Sequence, residues 1–498
     1  MVFTFYSTLN NHESRRRGGA TVIMQFMKRR RLTILLLVLV LLPAGGITYL
    51  LAAPRLVSVT PQANAEEVAV LSSLRLEFSR RMNTASVTDR LEIFPQQAGE
   101  FTWDERGRTL IFTPSETWPS GETVRVRLLR GASASGFLAF TIREEASWSF
   151  TIAQPRLIYL YPSEGPPNLY LLNPFDRSTR QLTNYLEGVA DFDVDRQGSV
   201  VYYTVEVPDG SLIYAIQDLN LQESQVETLP TPNLALDCRQ ARCSSPRLAP
   251  DGSYLAYERS SFTTLDEPSF PQVWVLPLDQ GLPVGGGAEP RLIDQSDHQT
   301  IQPQWSPDGN LLVYDTIAAA YIVRDQAGTE IARFPNTTGY PGSWDPTGEY
   351  FIAPEIFYES ALPSEPDTIG VSYLIRYSLL DGSTQILSEK DNLEDAFPAF
   401  APSGAKLAFT RKYLDTTRWT PGRQVWLMES NGENARPINN ESVYNHFDFT
   451  WSPDERLLVY VRFHQTELTQ APEIWVYDMS IQNAWRLLRG GYAPRWIP

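Results

Sequence analysis

The chain has 498 residues, 42% of them hydrophobic and 20% charged, with a formal net charge of −16. Such a length exceeds one ordinary core, so two or three domains are expected, and the composition is that of a folded chain. The acidity excludes nucleic acid as a partner, because residues 32–498 carry −22 and would repel phosphate.

Residues 1–31 are the exception. Arg15, Arg16, Arg17, Lys28, Arg29, Arg30 and Arg31 stand against the single acid Glu13, a net +6. They read as a basic cytoplasmic tail, with 1–23 unlike any folded segment and Met24 or Met27 the more ordinary start. Residues 32–53 follow without a charge and are long enough to cross a bilayer as a helix. The cations lie before this run and only Arg55 follows it closely. The positive-inside rule then keeps the N-terminus in the cytoplasm and places 54–498 outside. A cleaved signal peptide is the competing reading, but Leu50 and Leu51 fit poorly where small residues are required. The expectation is a single-pass signal-anchor.

From 54 to 153 the pattern has period two. "SSLRLEFSRRM", "RTLIFTPSETWPSGETVRVRLL" and "ASWSFTI" alternate apolar and polar residues between turns, as β-sandwich strands do. These phrases, with "SVTPQANAEEV", resemble bacterial Ig-like domains of the type seen in surface-layer proteins. In that pattern Phe78 and Met82 end one strand, Pro114 and Gly121 flank a turn, and Trp148 and Phe150 close the domain. The resemblance implies a spacer or adhesion module with no catalytic residues.

From 155 to 498 one phrase recurs: "SPRLAPDGSYLAYER", "QPQWSPDGNLLVYDT", "PGSWDPTGEYFIAPE", "FPAFAPSGAKLAFTR" and "FTWSPDERLLVYVR", with a weaker copy around Phe192. Its turn prolines, Pro250, Pro307, Pro346, Pro402 and Pro453, are 57, 39, 56 and 51 residues apart, a period that fits one four-stranded propeller blade with variable loops. Proline sets φ and glycine accepts φ > 0, so Pro-Asp-Gly makes a tight turn between two strands. The phrase is similar to the WD40-like repeats of TolB-type β-propellers, most closely at 305–309 and 451–454. Full units begin near 188, 243, 301, 340, 396 and 445. "PRLIYLYPSEGPPNLYLLNPFDRSTRQLTNY" supplies three strands without an inner one, and "YAPRWIP" supplies an inner strand without the others. Joined, they make a seventh blade in which Trp496 packs beside 157–161. The fold expected is all-β: a seven-bladed β-propeller closed by its N- and C-terminal strands, an Ig-like β-sandwich and one N-terminal transmembrane helix.

Cys238 and Cys243, five residues apart, lack C-x-x-C spacing and suit a small disulfide in an oxidising compartment. Residues just before or at the inner strands line one mouth of the central channel. They are polar: Glu187, Asp191, Asp297, His298, Glu394, Asp395 and His446. Converging on one axis, they would suit a divalent metal or a cationic ligand. Oligogalacturonate lyases, which resemble this architecture, bind a metal there with histidines. Here a three-histidine site needs His464, which follows a second strand expected to run away from that mouth. No G-x-S-x-G or H-E-x-x-H motif occurs.

No catalytic residue or cofactor is assigned. The function expected is a membrane-anchored binding or scaffold protein of the cell envelope, facing a protein or wall polysaccharide. The alternative is a carbohydrate-active or metal-dependent lyase or hydrolase working at the channel mouth.

Overall fold

The computed structural model describes residues 53–497 apart from 71, 116, 137–139, 196–197, 218–228, 263–267, 280–281, 284–288, 294–297 and 361–367. Two compact units result. One joins Ser73–Thr113 and Val124–Phe150 with residues up to Asn64, and the other joins Thr151–Pro498 with Ala65–Ser72 and Pro114–Thr123.

In the first unit the strands Leu56–Thr60, Leu74–Phe78, Thr109–Pro114 and Gly99–Trp103 form one antiparallel sheet in that order. Leu91–Phe94, Thr123–Leu128 and Ala146–Thr151 form a second sheet. Period-two patterning decides which side chains go in. Leu74, Leu76 and Phe78 are buried while Arg75 and Glu77 are exposed, and Val124, Val126 and Leu128 repeat the alternation. Leu110, Phe112, Trp148 and Phe150 complete the interior, as in a two-sheet sandwich. Met82 is buried beyond the end of its strand. A single helical turn, Thr84–Thr88, is capped by Asn83, whose side chain accepts from the Ser86 amide.

The second unit repeats one theme. Val189–Val194, Val200–Val207, Gly210–Gln217 and Asn233–Arg239 form an antiparallel sheet in chain order. So do Thr300–Trp305, Leu311–Asp315, Ala320–Arg324 and Glu330–Pro335, and again Tyr444–Trp451, Leu457–His464, Glu473–Asp478 and Asn483–Arg489. A further sheet starts at Ala241–Leu248, Tyr254–Ser261 and Gln272–Asp279. The strands from Ser343–Trp344 to Arg436–Pro437 make one eight-stranded sheet, joined in its middle by a single parallel bridge between Ser372 and Glu394. The last described strand, Tyr492–Ile497, pairs antiparallel with Arg156–Tyr161, placing Trp496 opposite Leu157.

The second strands carry runs of consecutive buried apolar residues, as at 311–314 or 457–461. Such a strand is covered on both faces. The covering is sheet upon sheet. Ile158 and Leu160 pack with Val201 and Tyr203, Tyr202 with Tyr257, and Ala256 with Val313. Leu312 packs with Phe351, Ile352 with Leu407, and Ala408 with Leu458. Val459 and Val461 then return to Leu157, Tyr159 and Trp496.

The single-pass localisation is corrected. Among the described residues no helix is long and apolar enough to cross a membrane. Their apolar residues alternate with polar ones or come in short runs cut by turns, which makes strands. The predicted span at 32–53 lies, but for Ala53, outside the described residues.

Candidate functional site

The recurrent phrase has a definite backbone. Ser245, Gln302, Phe397, Asp448 and Ala493 all have positive φ, between 51° and 56°. Each sits where the inner strand slips register against its neighbour. These are β-bulges, and in four of the five copies the next residue is proline: Pro246, Pro303, Pro398 or Pro494. A bulge leaves one amide out of the ladder, so proline is tolerated inside the strand there.

Three residues after the positive-φ position comes the tryptophan. Its indole Nε1–H donates to a carbonyl on a neighbouring inner strand: Trp305 to Arg247 O at 2.9 Å, Trp451 to Ala399 O at 3.1 Å, and Trp496 to Thr450 O at 3.1 Å. These bonds hold inner strands side by side and pointing the same way. Trp344 departs from the rule, because its Nε1 is buried with no partner among the described residues.

The expected mouth residues that are described lie at or just before the beginnings of these strands. Glu187 is exposed in the connection before Val189–Val194. Asp191 accepts from the Ser245 amide. Burial pushes its carboxyl up, against the pull of that amide and of Arg247. Asp297 lies outside the described residues. His298 Nε2 is 2.8 Å from Asp315. Burial alone would raise the Asp315 carboxyl, but the Ala318 amide and His298 outweigh it and hold it low. Glu394 pairs with Arg423 at 2.9 Å. Asp395 is fully buried and takes both arms of Arg411 at 2.8 Å, with the Ser388 hydroxyl donating at 2.7 Å.

His446 is equally enclosed. Its Nδ1–H donates to Arg423 O at 2.7 Å, and its Nε2 lies 2.8 Å from the Asn439 side-chain nitrogen and 3.4 Å from Glu441 Oε2. Cys238 and Cys243 are joined as a disulfide where Asn233–Arg239 gives way to Ala241–Leu248. The direction expected of His464 is also corrected. An antiparallel second strand returns to the end where the inner strand began, so His464 pairs opposite Tyr444. It accepts from the Glu467 amide there and joins neither His298 nor His446. Among the described residues no three His, Cys, Asp or Glu side chains group as metal ligands would. Asp191, His298, Glu394, Asp395 and His446 are instead each engaged by a neighbouring element.

Those partners are the residues sequence reasoning missed. Arg259, Arg411 and Arg462 occupy one register position on three second strands and stack over Trp274, Trp426 and Trp475 at 4.9, 4.7 and 3.9 Å. The signal was present as "YER", "FTR" and "YVR" followed by "QVW", "QVW" and "EIW". Arg462 is the most connected, binding Glu441 and Glu473 between Tyr444 and Trp475.

Residues 52–152 match the family described as bacterial Ig-like domain. No curated protein matches the chain. Among solved structures, TolB from Acinetobacter baumannii is 10% identical with a TM-score of 0.40, covering 90% of this chain and 99% of its own. The β-propeller domain of the trilobed protease from Pyrococcus furiosus, described as having an open velcro topology, is 11% identical with a TM-score of 0.43. That likeness covers 74% of this chain and 93% of the other. An oligogalacturonate lyase in complex with manganese is 14% identical with a TM-score of 0.29, covering 67% and 72%. The described residues are all-β but for one helical turn, with an Ig-like domain at 52–152 followed by a series of antiparallel sheets.

Proposed function

We propose that the chain is a protein-interaction scaffold of the bacterial envelope, not an enzyme. Residues 54–153 would be an Ig-like spacer and 155–498 a closed seven-bladed propeller. On this reading the eight-stranded sheet is two blades joined by the Ser372–Glu394 bridge, and Tyr492–Ile497 completes the blade of Arg156–Tyr161. The sheet-on-sheet packing that returns from Val461 to Leu157 supports closure.

The observation that carries the function is a set of exposed apolar side chains at one end of the sheets. Phe270, Ile317, Trp419 and Leu468 each lie in the connection between second and third strands, and Tyr358 lies near the same connection of its own sheet. They are 54% to 77% exposed. Scattered single apolar residues need no explanation, but one at the same connection of five consecutive blades, on the reading above, suits a protein partner that buries aromatic and aliphatic anchors. Their loops take the end where the inner strands begin, because the second strand returns there. The test is cross-linking of the full chain in source-cell extract, beside Ile317→Ser/Trp419→Ser/Leu468→Ser. One partner should be recovered with the wild type and lost with the variant at unchanged melting temperature. Equal recovery with both would overturn the reading.

A further inference from the structure

A cavity of about 180 Å³ lies at the opposite end of three inner strands, lined among others by Asp193, Asp195, Arg247, Leu248, Gln304 and Trp305. Pockets for drug-sized ligands run to roughly 300–1,000 Å³, so this one admits a single ring or side chain. Its walls are firmly set. The Leu248 amide donates to Asp193 Oδ2 at 2.9 Å, and the Trp305 indole is held by Arg247 O and stacked on Tyr254. Asp195 is committed to its own turn, accepting from the Ser199 amide and hydroxyl at 2.6 and 2.8 Å and from the Val200 amide at 2.8 Å.

The chemistry left over is specific. Asp193, Arg247 beyond its bonds to the Pro246 and Phe192 carbonyls, and Gln304 line the cavity together with Trp305. Burial raises the Asp193 carboxyl despite Arg247 nearby. An anion would face two carboxylates. An ammonium would face the guanidinium. A neutral ring with adjacent hydroxyls meets neither penalty, since it donates to Asp193 and accepts from Arg247 and Gln304. Its carbon face would lie against Trp305 and Leu248.

We propose that this cavity is a binding subsite for one neutral, hydroxyl-rich ring, a single sugar residue of a glycan. It lies away from the apolar loops and makes the molecule bind two kinds of partner at two ends. The test is saturation-transfer NMR on the full chain with the methyl glycosides of glucose, galactose and N-acetylglucosamine, and with lysine amide. At least one glycoside should saturate with a millimolar Kd, weakened fivefold or more by Gln304→Ala at unchanged melting temperature. Asp193→Asn should act the same way and serves as the second variant. The triple apolar-loop variant should bind the glycoside as the wild type does, which separates this site from the protein-binding end. Saturation of lysine amide alone, of nothing, or of glycosides equally in both cavity variants would overturn the proposal.

Discussion

Replacing the inner-strand tryptophans one at a time by phenylalanine separates the indole hydrogen bond from the ring that carries it. In Trp305→Phe, Trp451→Phe and Trp496→Phe the change removes a bond of 2.9 to 3.1 Å to a neighbouring strand. A net hydrogen bond is worth about 1 kcal/mol, and the abandoned carbonyl adds to the cost. The smaller ring forfeits about 1 kcal/mol of apolar burial. Each of these variants should therefore lose about 2–3 kcal/mol. Trp344→Phe forfeits the same ring area but deletes a buried donor with no partner among the described residues, and relief of about 1–3 kcal/mol cancels or exceeds that loss. With unfolding entropy near 2.1 cal/mol/K per residue over about 340 residues, the three variants should melt about 3–4 °C below wild type. Trp344→Phe should stay level or rise. Scanning calorimetry on the full chain reads this directly. Equal losses at all four positions would show that the indole bonds contribute nothing.

Three further outcomes follow from the same geometry. Burial alone would raise the Glu441 carboxyl, but His446 and Arg462 outweigh it and hold it at about 2, against an ordinary 4.5. A depressed carboxyl contributes stability that is fully present above about pH 4.5 and is lost as pH falls towards 2. Glu441→Gln should flatten the acid limb of the melting curve in that window by lowering the melting temperature at neutral pH, while near pH 2 it matches the wild type. Asp395→Ala would strand the buried Arg411 guanidinium and should cost about 3–5 kcal/mol in denaturant unfolding, most of it recovered by Asp395→Leu with Arg411→Met. Deleting residues 492–498 uncovers the edge of Arg156–Tyr161 and removes the buried Trp496 and Ile497. At about 2 kcal/mol for each large side chain, it should lower stability by at least about 4 kcal/mol, and an unchanged melting profile would refute that seam.

The strands were legible because their physics is local. Period-two alternation marks the sandwich strands, and a Pro-Asp-Gly turn followed by a β-branched run marks each propeller hairpin. The pairing of Trp496 with Leu157 was also legible, since the first propeller strands lacked the inner strand that the last residues supply. The site was far less so. Asp395, His446 and Glu394 are polar residues at inner strands, and sequence position alone makes them look as if they share an axis. What engages them is Arg411, Asn439 and Arg423, which are 16, 7 and 29 residues away in sequence. Register between strands, not spacing along one strand, decides those partners. The direction of His464 failed for a related reason: an antiparallel return was treated as a departure. The cavity beside Trp305 was invisible, because its walls come from three separate repeats.

The seam between the first and last strands of the propeller unit has a mechanical consequence. Ile497 lies opposite Arg156, so the chain enters and leaves the sheet at adjacent points on the same edge of the seam. A load applied between them acts across the strands, and the residue pairs separate in succession, beginning with Ile497–Arg156. Strands loaded lengthwise must break all their bonds together, whereas these open like a zip. Tension along the polypeptide would therefore peel Tyr492–Ile497 away at low force, while the sheets between, each a covalent hairpin series packed on its neighbours, still hold.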